Sequence, residues 1–192
     1  MNGLGQHTTT IDGVAVHLLH LRSTRVDALP LLLTHGWPGS VVEFLDVARL
    51  LADPPLGQPA FHVVAPSRPG FGLSGKPREA GWDVERIVHA WAELMTRLGY
   101  ARFFAQGGDW GAEVTTLLGA RFPDRVLGIH TSFPQAEAPD GWREEDLDAR
   151  EAGWLRDTRA FWRDGIPYAQ QMVSAPQTIG YALDDSPVAL LA

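Results

Sequence analysis

An α/β architecture, a mostly parallel sheet with helices on both faces, is predicted by three features of this 192-residue chain. Short continuous apolar runs recur, of the kind a strand shows when both of its faces are covered. Segments with helical apolar spacing separate them, and Pro- and Gly-rich loops punctuate the joints. Strands that alternate with helices imply parallel pairing.

Val14 to Leu21 and Leu29 to Thr34 read as the first strands. Ser40-Val41-Val42-Glu43 matches a capping box, in which the Ser40 hydroxyl and the Glu43 carboxylate would satisfy free backbone N–H groups, and it opens a helix to Leu51. After a loop rich in proline, Phe61 to Ala65 is a buried-type strand, ended by Pro66, Pro69, Gly70 and Gly72. The firmest helix starts at the N-cap Asp83, repeats apolar residues at Val84, Ile87, Val88, Trp91, Leu94, Met95 and Leu98, and stops at Gly99. A strand (Arg102 to Gln106), a helix (Gly111 to Arg121) and a strand (Val126 to Thr131) follow. Past Pro134 the alternation ends. Asp140 to Asp164 is crowded with charge and punctuated by Trp142, Trp154 and Trp162, which predicts a helical excursion.

Composition narrows the function classes. There are 23 acidic against 16 basic residues, a formal net charge of -7, with Lys76 the single lysine and no basic run, which speaks against a nucleic-acid or anionic-membrane partner. Absence of cysteine excludes a disulfide scaffold, thiolate metal sites and a cysteine nucleophile. No motif calls for a cofactor or a metal. The longest apolar run, near Leu29 to Leu33, is far too short to span a bilayer, and Met1 to Thr10 lacks the regions of a signal peptide, so the expected location is cytoplasmic.

Gly107-Gly108-Asp109-Trp110-Gly111 follows a strand and opens a helix, the context of the elbow that presents a nucleophile on a sharp, strained turn. Aspartate stands at the nucleophile position. It is favoured as the anion by the helix N-terminus and, with an ordinary pKa of about 3.9, needs no base in order to attack. The bland alternative is an N-cap after a glycine turn. His35-Gly36-Trp37-Pro38-Gly39, at the end of an earlier strand, stands where such folds place the loop whose backbone N–H joins that of the residue after the nucleophile in an oxyanion hole. The two donors would be the amides of Trp37 and Trp110.

Together, Thr34 to Ser40, Pro69-Gly70-Phe71-Gly72-Leu73-Ser74 and Gln106 to Gly111 resemble α/β-hydrolase-fold epoxide hydrolases of the microsomal type. The resemblance implies an α/β-hydrolase fold divided into an N-terminal tail (1–13), the front of the hydrolase core (14–134) and an incomplete helical lid (135–192). It implies that Asp109 opens an epoxide to a hydroxyalkyl ester while the lid residue Tyr168 hydrogen-bonds the epoxide oxygen. His35, Pro38 and Trp110 would contact the substrate, a small apolar epoxide, with water as second reactant.

The family order places an acid and a histidine after the nucleophile. His130 is the one histidine past Asp109, and its place on the strand after the elbow helix reads as structural. The expectation is therefore a chain cut short on both sides, with the late acid, the late histidine and the C-terminal strands missing. The Val126 to Thr131 strand would then offer an apolar edge for self-association. Two rivals share the motifs: a haloalkane dehalogenase-like hydrolase, with Trp110 holding a halide, and a non-catalytic α/β-hydrolase remnant.

Overall fold

In the computed structural model, which describes residues 4–136 and 138–190, six strands form one sheet in the order β1-β2-β4-β3-β5-β6. They are β1 (Gln6–Ile11), β2 (Val14–Leu21), β3 (Leu29–Thr34), β4 (Phe61–Pro66), β5 (Phe103–Gly107) and β6 (Val126–Thr131). β3 pairs in parallel with β4 and β5, and β5 with β6, whereas β1-β2 and β2-β4 are antiparallel. Apolar content gives no warning of β1, whose residues Gln-His-Thr-Thr-Thr-Ile are mostly exposed. Its signal is the turn. Asp12 and Gly13 both take positive φ (47° and 77°) and join β1 to β2, the two-residue Asp-Gly hairpin that matches the twist of its strands.

Three helices cover this sheet: α1 (Leu45–Ala52), α2 (Val84–Arg97) and α3 (Trp110–Arg121). The continuous apolar runs divide by side-chain alternation between two cores. Leu32, Val64, Phe103 and Ala105 pack with Trp91, Leu94, Met95, Val114 and Leu118 of α2 and α3. Leu31, Leu33, Val63 and Ala65 pack on the other face with Val41, Phe44 and Ala48. Asp83 caps α2 as expected, its carboxylate accepting from the Arg86 N–H at 2.9 Å. The capping box at Ser40 is only half made. The Ser40 hydroxyl accepts from the Val42 N–H at 3.2 Å, Val41–Phe44 forms a 3-10 turn ahead of α1, and the Glu43 carboxylate lies by the backbone of Gly36 instead of returning to Ser40.

The chain divides into two compact units, Met1–Ala136 and Glu137–Ala192. The second carries α4 (Ala149–Ala160), α5 (Pro167–Ser174) and α6 (Pro176–Asp185), the helical excursion that the sequence predicts. A full capping box opens α4: Asp148 accepts from the Glu151 N–H, and Glu151 accepts from the Asp148 N–H. None of these three helices has a buried residue. Within the first unit, an apolar groove of about 890 Å³ opens on the α1 side of the sheet, lined in part by Phe44, Phe61, Phe104, Ile129 and His130. Strand β6 ends the sheet order there, with Ile129 48% exposed.

Candidate active site

Strand β5 turns into helix α3 through Gly107, Gly108 and Asp109. Asp109 has φ 53° and ψ -129°, a conformation that residues with a Cβ rarely adopt and that persists only where its surroundings over-determine it. Those surroundings are backbone. A Cβ on Gly107 would meet the Gly111 carbonyl oxygen, and one on Gly111 would meet the carbonyl oxygen of Thr34 at the end of β3. The glycine spacing of the elbow is thus a requirement for close packing of β3, β5 and α3. Behind it, the buried Trp91 indole N–H donates to the Thr34 hydroxyl at 3.2 Å.

The Asp109 side chain reaches the loop after β3. A Cβ on Gly36 would strike the Asp109 carboxylate, and the Trp37 N–H donates to its Oδ1 at 2.6 Å. A main-chain donor on a neighbouring loop therefore already holds the carboxylate. Trp37 is half-buried, Pro38 exposed, and the peptide bond between them cis. Trp110 opens α3 with 44% of its surface exposed.

His35, expected at the substrate, is fully buried with both ring nitrogens engaged. Nδ1 lies 3.0 Å from the Gly36 carbonyl oxygen and Nε2 accepts from the Arg68 N–H at 3.0 Å, which fixes a neutral ring with the proton on Nδ1. Burial, and then the Arg68 cation, hold it below the usual histidine range. The ring braces the Trp37 loop against the loop after β4. That second loop is itself tied to β2: Ser67 N–H donates to the His17 carbonyl, the Ser74 hydroxyl accepts from the His17 N–H, and Gly75 N–H donates to the Ala15 carbonyl.

Two charged residues at the site are given no site role by the sequence, where Glu43 reads only as part of a capping box and Arg68 as a loop residue. Glu43 lies near enough to Asp109 that burial, followed by repulsion from that carboxylate, raises its pKa. Arg68, the first residue past the buried end of β4 and Ser67, is 8% exposed, with its guanidinium carbon 4.8 Å from the centre of the Phe71 ring and 5.9 Å from that of Trp110. An arginine two residues past an apolar strand and ahead of Pro69-Gly70 is the available signal. Tyr168 stands on α5 of the second unit, 52% exposed. His130 stands on β6 at the apolar groove.

The α/β-hydrolase fold family model matches residues 30–171. This chain belongs to the α/β-hydrolase family. A model of the epoxide hydrolase N terminus matches residues 1–44 of the chain, so β1, β2 and the Trp37 loop fall within it. The chain is 49% identical to a Stigmatella aurantiaca (strain DW4/3-1) protein named "Putative epoxide hydrolase", over 97% of its own length and 43% of that protein's. It is 31% identical to epoxide hydrolase 1 of Oryctolagus cuniculus, over 100% of its length and 47% of the relative's. Among solved structures, the Aspergillus niger epoxide hydrolase superposes with a TM-score of 0.76 at 38% identity, covering 100% of this chain and 50% of that one. The chain spans about half the length of these relatives. Among its described residues, no helix is long and apolar enough to cross a membrane.

Proposed function

We propose that the chain carries the ring-opening half of an epoxide hydrolase, with Asp109 as nucleophile. The observation that carries this reading is the Trp37 N–H on Asp109 Oδ1 at 2.6 Å, on an elbow whose backbone is held at φ 53°. A loop N-cap would use its carboxylate on its own helix, and Asp109 makes no such bond. The free oxygen attacks the less hindered ring carbon, the carbon–oxygen bond of the ring breaks, and the alkoxide takes a proton from the Tyr168 hydroxyl, which recovers one from solvent water. A 2-hydroxyalkyl ester of Asp109 results. The oxygen held by Trp37 is then the ester carbonyl oxygen, and the same amide, with that of Trp110, is the donor set for the oxyanion when water attacks the ester and releases a diol. His35 serves as a brace, and Trp110 and Pro38 flank the substrate.

Intact-mass spectrometry after incubation with styrene oxide tests the proposal. A single adduct of one epoxide mass is expected, mapped to Asp109, absent in Asp109→Asn and slower to form in Tyr168→Phe. Alkylation by a 1-bromoalkane but not by the epoxide would favour dehalogenase chemistry instead. Adducts spread over several carboxylates would remove the special role of Asp109.

A further inference from the structure

Two buried histidines are linked to the nucleophile by hydrogen bonds, and the ring-opening chemistry uses neither as an acid or a base. His35 braces the Trp37 loop. His17, on β2, is 3% exposed and stands one step further back. Each of its ring nitrogens has a partner: Nε2 lies 3.2 Å from Gln6 Oε1 on β1, and Nδ1 lies 2.9 Å from the Ser67 hydroxyl. An amide oxygen can only accept, so in the neutral ring Nε2 carries the proton and Nδ1 accepts from Ser67. Burial, which lowers the His17 pKa, favours that form. The next residue, Arg68, donates its N–H to His35 Nε2 at 3.0 Å, His35 Nδ1 donates to the Gly36 carbonyl at 3.0 Å, and the Trp37 N–H holds Asp109. A path of hydrogen bonds and adjoining residues thus runs from β1, at the sheet edge, to the nucleophile. It passes through two imidazoles that each accept with one nitrogen and donate with the other, so each ring has one tautomer and one orientation.

We propose that His17 is a positioning residue for the nucleophile: by accepting from the Ser67 hydroxyl it fixes the Ser67-Arg68 segment, which through the His35 ring sets the Trp37 amide on Asp109. The inference rests on the reading of Asp109 as a nucleophile. What the site requires of position 17 is the acceptor, more than the bulk of a buried side chain. Ser67 is fully enclosed, so without that acceptor its hydroxyl has no partner and no water, and the segment shifts to find one. The His35 ring and the Trp37 amide move with it. Attack needs the free Asp109 oxygen aligned on the ring carbon, and a misplacement of about 1 Å can cost about a hundredfold in rate. Because the disturbance reaches Asp109 through several bonds, a slowing of about tenfold is expected.

Two readouts test this in the full chain, well below melting: the rate of adduct formation at Asp109 with styrene oxide, and the NMR resonance of the Trp37 amide proton, which reports its short bond to the carboxylate. His17→Leu should form the adduct about tenfold more slowly and shift the Trp37 resonance. His17→Asn, whose Oδ1 takes the place of Nδ1 as acceptor, should stay near the wild type in both. Val88→Ala, a truncation in the buried face of α2, should lose stability and leave both unmoved, as would His17→Leu if its role were merely structural. Should His17→Leu fail to fold, Ser67→Ala, which removes the donor and keeps the ring, must show the same slowing and shift. Wild-type rate and resonance in the folded His17→Leu or Ser67→Ala protein overturn the inference, and so does a His17→Asn protein as slow as His17→Leu. The two readouts separate this from the reading of the site. An Asp109 adduct in the wild type with nothing moved in His17→Leu defeats His17 alone, whereas a shifted Trp37 resonance without any wild-type adduct defeats the nucleophile.

Discussion

The two units use similar aromatic and charged residues to opposite ends. In the first, Trp91, Phe103, Leu32 and Met95 are fully buried, and even polar side chains such as His35 and Ser67 are enclosed. In the second, Trp154, Trp162, Tyr168 and Tyr181 are all more than half exposed, and the helices rest on local devices: a capping box, the Arg150 guanidinium over Trp154 at 4.4 Å, and short-range ion pairs. Buried apolar area is the dominant stabilising term, and exposed ion pairs add little to it. A strained residue can therefore be held only in the first unit, where packing over-determines the backbone. The candidate nucleophile sits there.

Adding one methyl group at matched glycines is the sharpest way to break the comparison. At Gly111 the new Cβ would meet the backbone oxygen of Thr34, which no rotamer change can relieve. Gly111→Ala should lose more than about 4 kcal/mol, a large share of a domain's stability, and leave no cooperative thermal transition for the sheet unit. A variant that melts within a few degrees of the wild type would mean that β3 and α3 are packed less tightly than their backbone contact indicates.

Acid should act on the first unit next. His20, hydrogen-bonded to the Tyr100 hydroxyl at 2.9 Å, has its pKa lowered from 6.5 to about 4, mainly by burial and then by Arg22, His7 and His62. His17, His35 and His62 are lowered as well, chiefly by burial. Between pH 6.5 and 4 the unfolded chain takes up protons that the folded chain refuses, so stability falls as pH drops through that window. Because His20 is only half-buried, its own share is about 1 to 2 kcal/mol after allowance for solvent screening. Chemical denaturation at pH 7 and pH 4.5 reads the effect, and His20→Gln should reduce it. Equal stability at the two pH values would sink the assignment.

What was legible in the sequence follows the same division. Buried strands announce themselves because their runs are apolar on both faces, and β3, β4, β5 and β6 lie within one or two residues of expectation. β1 escapes because an edge strand with one wet face needs few apolar residues, although Asp12-Gly13 marked the hairpin. The elbow and its Trp37 partner are legible because glycine spacing reports backbone contact directly. Glu43 and Arg68 are not, because a carboxylate in a capping pattern and an arginine after a strand are ordinary surface features until the fold buries them.

In the second unit the same methyl addition should reverse sign. Gly153 lies inside α4, and an added Cβ would find only the Arg156 guanidinium at 3.7 Å, ordinary contact distance. Gly153→Ala should stabilise this helix by about 0.5 to 1 kcal/mol, through reduced backbone freedom of the unfolded chain and alanine's higher helix propensity. Hydrogen exchange of the α4 amides should slow accordingly. Faster exchange would show that Gly153 is needed for packing.

The smallest expected effect concerns the best-formed ion pair of that unit. Arg159 donates through Nη1 and Nη2 to the two Glu144 oxygens at 2.9 and 2.8 Å, a bidentate geometry that in a buried setting would be strong. Both side chains are 56% exposed, so water and salt screen the pair, and fixing two long side chains uses up what attraction remains. The Arg159 hydrogen bond lowers the Glu144 pKa, so any stabilisation is present above the ordinary glutamate value and fades as pH falls below it. Glu144→Gln should therefore leave melting unchanged at neutral pH and at raised salt. A clear loss of stability in that variant, suppressed by salt, would mean that electrostatics hold the second unit together where apolar burial does not, and the contrast between the units would then be one of mechanism as well as of degree.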